Sequence, residues 1–314
     1  MGEEQRSVVQ KLVIDADPGI GDALAIMLAL QDRSVDLVGV TATAGRVAGA
    51  TATRNIQAVI DGLDPPKRPR IGHCGGAVSP LASPLMDGTS GLGDYNPSVA
   101  GLHQRHESAR LLVELVRASP HEITLLTLGP LTNVSVAAEL AADFFDLLGS
   151  LVSLGGAIQS GGDVTAAAEF NVAAGCESAR DVLRSPATKT LVPLDASGLA
   201  VLSPDQYRRL RQKVVEPVAG LLDGLLPFSF RSHHEVLGIE GVVLHGVTAL
   251  AAATSSVSFE QIPMTIDVEL HGELTRGMTV FDRRRGTHMQ QNIDACVAVD
   301  VQGVVDYLSS VLAG

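Results

Sequence analysis

Val13-Ile14-Asp15-Ala16-Asp17-Pro18-Gly19-Ile20-Gly21-Asp22-Ala23-Leu24 is the stretch that decides how this chain folds. The apolar run Leu12-Val13-Ile14, preceded by Val8-Val9, reads as a buried strand. Three aspartates follow it, Asp15, Asp17 and Asp22. Pro18 and Gly19 stop the strand, and Ala23 to Leu30 continues as an apolar helix. Open α/β sheets place their ligands at the carboxyl end of a first strand. Carboxylates gathered there repel one another, so they need a cation, a proton or a polyhydroxylated ligand.

The same rhythm continues outward. Strand-like runs occupy Lys11–Ala16, Val35–Thr43, Arg68–Ile71, Glu122–Leu128, Leu148–Leu154, Thr188–Pro193 and Ile262–Glu269. Helix-like stretches occupy Gly21–Leu30, Ala48–Ile60, Glu107–Ala118, Leu131–Ala142, Glu177–Leu183, Pro204–Leu226, Val247–Ala253 and Val301–Leu312. Strands alternating with helices predict an α/β fold. The expected form is a single large domain over residues 1–314, an open, mainly parallel, Rossmann-like sheet flanked by helices, with its site at the C-terminal ends of the strands. About residues 1–7 read as a flexible tail. Two stretches break the rhythm, the Gly-, Pro- and Ser-rich segment His73–His103 and the segment Pro227–Gly241. Long loops in such folds form lids and ligand walls. His233 and His234 lie in the second.

Composition narrows the partners. The formal net charge is -12, which argues against nucleic acid or an anionic membrane. No apolar run reaches the length of a membrane span, and the polar start does not read as a signal peptide. The three cysteines, Cys74, Cys176 and Cys296, are odd in number and far apart, which suits buried thiols in a reducing cytoplasm. Tryptophan is absent and aromatic residues make up 3%, so a planar ligand finds few rings to stack on.

The motif Asp15-x-Asp17-Pro18-Gly19-x-x-Asp22-Ala23 resembles the N-terminal signature of the inosine–uridine-preferring nucleoside hydrolase family. Colinear matches follow at Asn55, at Leu128-Gly129-Pro130-Leu131-Thr132-Asn133, at Leu154-Gly155-Gly156, at Glu169-Phe170-Asn171, at Leu244-His245-Gly246 and at Gly277-Met278-Thr279-Val280. The resemblance implies a hydrolase that cleaves the N-glycosidic bond of a ribonucleoside. It implies calcium, a hard cation that takes oxygen ligands, held by aspartates, a backbone carbonyl and two ribose hydroxyls. It also implies a homo-oligomer, a dimer or tetramer.

Carried onto this chain, the resemblance makes Asp17 a metal ligand and general base, Asp22 a second ligand, and the Leu128 carbonyl a third. Asp15 orients the loop from behind. Glu169 and Asn171 bind ribose hydroxyls, and Phe170 lines the sugar. His245 is the acid for the leaving base.

Five positions depart from the pattern. Gly21 and Gly246 stand where the family has aspartates, and Arg46 where it has an asparagine. Asp163 replaces another asparagine, and Asp87 a histidine. Calcium affinity depends on ligand charge and number, so a weakened metal site is expected. Arg46 is the candidate substitute for part of the lost cation; its guanidinium could pair with Asp17 or Asp22, or hold an anionic substrate group. Arg46 and Asp163 join the substrate-binding candidates. The alternative is a catalytically silent ligand-binding protein on the same fold. A phosphotransferase or phosphatase built on Asp15 and Asp17 is a third reading, disfavoured by Pro18.

Overall fold

A first strand, β1 (Gln10–Ala16), lies inside a nine-stranded sheet. The computed structural model describes residues 9–101, 106–284 and 290–314, so the expected tail falls outside the described residues. The other strands of this sheet are β2 (Val35–Ala42), β3 (Arg70–His73), β4 (His106–Glu107), β5 (Ile123–Thr127), β6 (Ser150–Leu154) and β7 (Lys189–Val192), with two more, β10 (Phe259–Met264) and β13 (Ile293–Val299). Their spatial order is β10-β13-β7-β6-β5-β1-β2-β3-β4. Every pairing is parallel except β10 with β13. Short pairs lie apart from it: β8 (Val201–Leu202) with β9 (Val242–Val243), and β11 (Ile266–Val268) with β12 (Thr279–Phe281).

The chain steps from β1 through β2 and β3 to β4, then returns to the other side of β1 with β5. That reversal opens a crevice outside the carboxyl ends of β1 and β5, the ligand position of doubly wound sheets. Helices cover both faces, each over its own apolar cluster. One layer holds α1 (Ile20–Gln31), α2 (Gly49–Leu63), α10 (Val218–Ser232), α11 (His245–Ala253) and α12 (Val301–Ala313), together with the short α8 (Leu194–Ser197) and α9 (Pro204–Arg211). The other holds α3 (Ser108–Ala118), α4 (Thr132–Leu140), α5 (Phe144–Leu147) and α7 (Cys176–Arg184). The short α6 (Phe170–Ala174) precedes α7. Helix α1 is apolar nearly all round and is buried accordingly. No helix among the described residues is long and apolar enough to cross a membrane.

Several expected boundaries shift. Pro204–Leu226 is two helices: the first ends at Arg211, and Pro217, whose missing N–H costs nothing at a helix start, precedes the second at Val218. Pro227–Gly241 is not a loop throughout. Helix α10 runs through Pro227 to Ser232, and a π-helical turn spans His233–Leu237. Buried Leu222, Leu225, Leu226 and Ser229 keep α10 helical past the proline, so packing outweighs the lost hydrogen bond. Ile262–Glu269 divides between β10 and β11, which belong to different sheets. Strand β13, missed in the sequence, reads Ile293-Asp294-Ala295-Cys296-Val297-Ala298-Val299.

Candidate active site

Asp15 and Asp17 sit at the end of β1 and are almost wholly buried. Asp15 Oδ1 accepts from Thr41 Oγ1 on β2 and, at 2.8 Å, from Asn133 Nδ2 on α4. Its Oδ2 is buried without a hydrogen-bond partner among the described residues. Burial therefore pushes the Asp15 carboxyl up to about 7, although both donors hold it back. Asp17 Oδ2 accepts from the Arg46 backbone N–H. Gly45 and Gly129 close on its carboxylate from two sides, where any side chain would overlap it. Burial lifts Asp17 to about 6 against the pull of Arg46.

Around this pair stand more carboxylates. Asp22, on the first turn of α1, is half-buried, and burial with Asp17 and Asp87 raises it well above the usual range. Asp87 Oδ1 accepts from Ile20 N at 2.9 Å, which caps α1. Burial raises Asp87, while Arg46 and His233 lower it. Asp163 Oδ1 accepts from Phe170 N at 2.8 Å, and its other oxygen lies 3.5 Å from Arg46 Nη2.

Arg46 is the positive charge within this group. Its guanidinium lies over the Phe170 ring, 4.3 Å from the centroid. Asp87, Asp17, Asp163 and Glu169 all raise its pKa against burial.

Glu169 caps α6. Its Oε1 accepts from Asn171 N at 2.9 Å, and its Oε2 from Gly156 N at 2.9 Å and Val172 N at 3.1 Å. Burial and Asp163 push it up to about 7 against these donors. Asn171 Nδ2 donates to the Leu128 carbonyl at 2.7 Å and to the Leu154 carbonyl at 3.0 Å. It thereby ties the ends of β5 and β6 together.

His245 begins α11, and a 2.9 Å hydrogen bond joins its Nδ1 to Ser197 Oγ. Burial, Arg46 and His233 hold it down to about 4, so it is neutral at neutral pH. His233 is buried, with Nδ1 2.8 Å from the Ser229 carbonyl. His234 points away and pairs with Glu240.

The structure brings Asp15, Asp17, Asp22, Arg46, Asp163, Glu169, Phe170 and Asn171 into one connected neighbourhood, with His245 within the field of Arg46. Asn55 serves it only from outside, bracing the Pro18 and Ser90 carbonyls at 3.0 and 2.7 Å. Thr41, Asn133 and Ser197 received no role from sequence. Asn133 lay within a quoted motif, but only the fold shows its amide reaching Asp15. Asp195 also went unnoticed; it clamps the turn 158–160 by accepting from Ile158 N, Gln159 N and Ser160 N.

These donors do not fit calcium, which takes about six to eight oxygen ligands. Of the positions the resemblance makes ligands, only Asp17 and Asp22 carry side-chain carboxylates, and Leu128 adds one carbonyl, well short of that number. Gly246 offers no side chain, and a guanidinium stands among the remaining carboxylates. Among the described residues no group of three or more His, Cys, Asp or Glu side chains could hold a metal ion.

Comparison with known proteins identifies the family. A family profile described as inosine-uridine preferring nucleoside hydrolase matches residues 12–306. The pyrimidine-specific ribonucleoside hydrolase RihA of Salmonella paratyphi B is 32% identical over 305 residues, covering 95% of this chain and 96% of its own. The Klebsiella pneumoniae protein of that name is 32% identical over 310 residues, covering 96% and 98%. Among solved structures, a plant nucleoside hydrolase superposes with a TM-score of 0.88 at 26% identity, over 98% of this chain and 99% of its own. A purine-preferring ribonucleoside hydrolase from Gardnerella vaginalis gives 0.87 at 26%, over 97% and 98%. This chain belongs to the inosine-uridine preferring nucleoside hydrolase family, hydrolases of the ribonucleoside N-glycosidic bond.

Proposed function

We propose that the chain hydrolyses the N-ribosyl bond of a nucleoside-like substrate with Arg46 in the part that a metal ion would otherwise play. One observation carries this reading: the Arg46 guanidinium rests on the Phe170 ring and lies 3.5 Å from an Asp163 oxygen, in the field of Asp87, Asp17 and Glu169. A guanidinium cannot lose its charge, and its planar fork of N–H donors can grip a vicinal diol by hydrogen bonds.

Asp17 takes the proton from the attacking water. Its raised pKa of about 6 leaves it ionised at neutral pH and makes it a stronger base than an ordinary aspartate. Asp15 supports the loop from behind, as Thr41 and Asn133 fix its orientation. Asp22 and Asp163 accept from ribose hydroxyls, Asn171 Oδ1 does the same, and Phe170 packs beneath the sugar and Arg46. Glu169 adds negative charge facing the anomeric carbon, where an oxocarbenium-like transition state gathers positive charge. With Ser197 donating to Nδ1, His245 presents Nε2–H to the departing base as a neutral hydrogen-bond donor.

The donor set does not fit calcium, and no step in this reading depends on it. The compartment we assign is the cytoplasm, supported by three free cysteines. Assembly as a homo-oligomer is supported by the high apolar fraction of 46%.

Ribose release from a panel of ribonucleosides by the wild type and by Asp17→Asn tests the proposal. Loss of the base should cut kcat by at least about a hundredfold while leaving KM close to its original value. A protein that binds nucleosides, releases no ribose and binds equally well as Asp17→Asn would be the silent binder instead.

A further inference from the structure

Between β6 and α6 the chain runs through residues 155–168 without forming a helix or strand. This loop carries Asp163, whose Oδ1 accepts from Phe170 N at 2.8 Å and whose other oxygen lies 3.5 Å from Arg46. Gly156 and Gly161 hold positive φ angles of 72° and 77°, a conformation that glycine reaches at no steric cost but does not lock in place. The placing of Asp163 therefore depends on further bonds. The Thr279 hydroxyl accepts from Ala157 N at 3.0 Å and donates to Ala157 O at 2.8 Å, and Arg283 donates to the Ile158 carbonyl.

Half-buried Asp195 grips the next three residues. Its Oδ2 accepts from Ile158 N at 2.6 Å and from Ser160 Oγ at 3.2 Å. Its Oδ1 accepts from Gln159 N at 2.7 Å and from Ser160 N at 3.0 Å. Three successive amides thus converge on one carboxylate, and hydrogen bonds to an ionised acceptor are stronger than those to a neutral one. Asp195 is the second residue of α8, a helix of four residues that touches the site twice more. Leu194 N donates to the Gly156 carbonyl at 2.9 Å. Ser197 Oγ bonds to His245 Nδ1 at 2.9 Å.

We infer that Asp195 is a positioning residue for the hydrolysis: through it α8 fixes the loop that sets Asp163 against Arg46 and α6, while through Ser197 the same helix sets His245 at the leaving base. The inference rests on the hydrolytic reading above and adds to its machinery. Both Asp195 oxygens are engaged by the loop, so the residue acts through Asp163 rather than on the substrate. The sugar and base ends of the site thereby share one frame, and a misplacement of about 1 Å can cost on the order of a hundredfold in rate. A carboxylate suits this place and an amide does not, because an amide has one oxygen and would turn its own N–H groups toward Ile158 N or Gln159 N.

Ribose release from a ribonucleoside panel and backbone hydrogen exchange are measured for wild type, Asp195→Asn, Asp163→Asn and the double variant. Asparagine keeps the size of the side chain and gives up one acceptor oxygen. In Asp195→Asn the amides of Ile158, Gln159 and Ser160 should exchange about tenfold faster, the worth of one hydrogen bond to a charged group. Its kcat/KM, counted per folded molecule from urea denaturation, should fall at least about tenfold. In the Asp163→Asn background the same substitution should cost less than about threefold, because the group it positions is already gone. A merely structural role would cost the same in both backgrounds and leave no such coupling. Asp195→Glu, which keeps both oxygens one methylene further out, runs through the same cycle and carries the test should Asp195→Asn fail to fold. Additive losses in turnover, or unchanged turnover with faster exchange, overturn the inference while leaving hydrolysis standing. Wild type that releases no ribose from any nucleoside overturns the hydrolytic reading, and this role with it.

Discussion

Gly246 meets the backbone of Gly21 so closely that a Cβ at Gly246 would stand 2.8 Å from the Gly21 carbonyl oxygen, whereas a Cβ at Gly21 would meet nothing within 4 Å. These are the two glycines at which the sequence resemblance leads one to expect aspartates. The contact is with the Gly21 backbone, where α11 packs on α1, so it does not depend on the side chain at position 21.

Restoring the carboxylates should therefore be asymmetric. Gly21→Asp should change stability by less than about 0.5 kcal/mol, since the side chain enters open space at a helix N-terminus that favours an acid. Gly246→Asp should cost about 1–3 kcal/mol, because two helices must separate. Urea denaturation of the two variants checks this, and equal costs would mean the contact is slack.

The pH dependence of turnover follows from Glu169, Asp17 and His245. Below about 7 kcat/KM should begin to fall as Glu169 takes up its proton, and below about 6 it should fall more steeply as Asp17 follows. Above about 7 it should stay level, because His245 lost its proton near 4. A descending limb near neutrality would instead indicate a protonated histidine acting as acid.

Stability should carry a separate pH signature from Asp15. Its carboxyl moves from 3.8 to about 7 on folding. A group whose folded pKa is raised stabilises fully below its unfolded value and loses that contribution as pH climbs toward the folded one. The contribution should therefore decline between about pH 4 and 7 and be gone above. Asp15→Asn keeps an acceptor for Thr41 and Asn133 and cannot ionise, so it should flatten that decline in denaturation series. A decline of the same size in the variant would assign it to other groups.

Ser197 should matter to rate more than to affinity. Ser197→Ala frees His245 Nδ1 to choose its tautomer, and kcat should drop about tenfold with KM changing less than twofold. A selective rise in KM would place His245 in ground-state binding.

The fold was legible in the sequence because β1, its aspartates and the alternation after it are local signals. The candidate site residues were named by colinearity, and the structure gathers them into one neighbourhood around Arg46. What sequence could not convey was distance. Nothing in Leu128 or Asn171 alone reveals that the amide of one is bonded to the carbonyl of the other. Pro227 suggested a break, but helix α10 continues through it because its apolar face is buried on both sides of the proline. Strand β13 pairs with residues about a hundred positions earlier as well as with β10, a relationship no local signal conveys.

Chelation is the most direct test of Arg46 as the resident cation. Ribose release from the best substrate is measured before and after exhaustive treatment with a calcium chelator, alongside Arg46→Gln. Turnover should survive chelation within about twofold and fall at least about a hundredfold in Arg46→Gln. Turnover that vanishes on chelation and returns with added calcium would contradict the account.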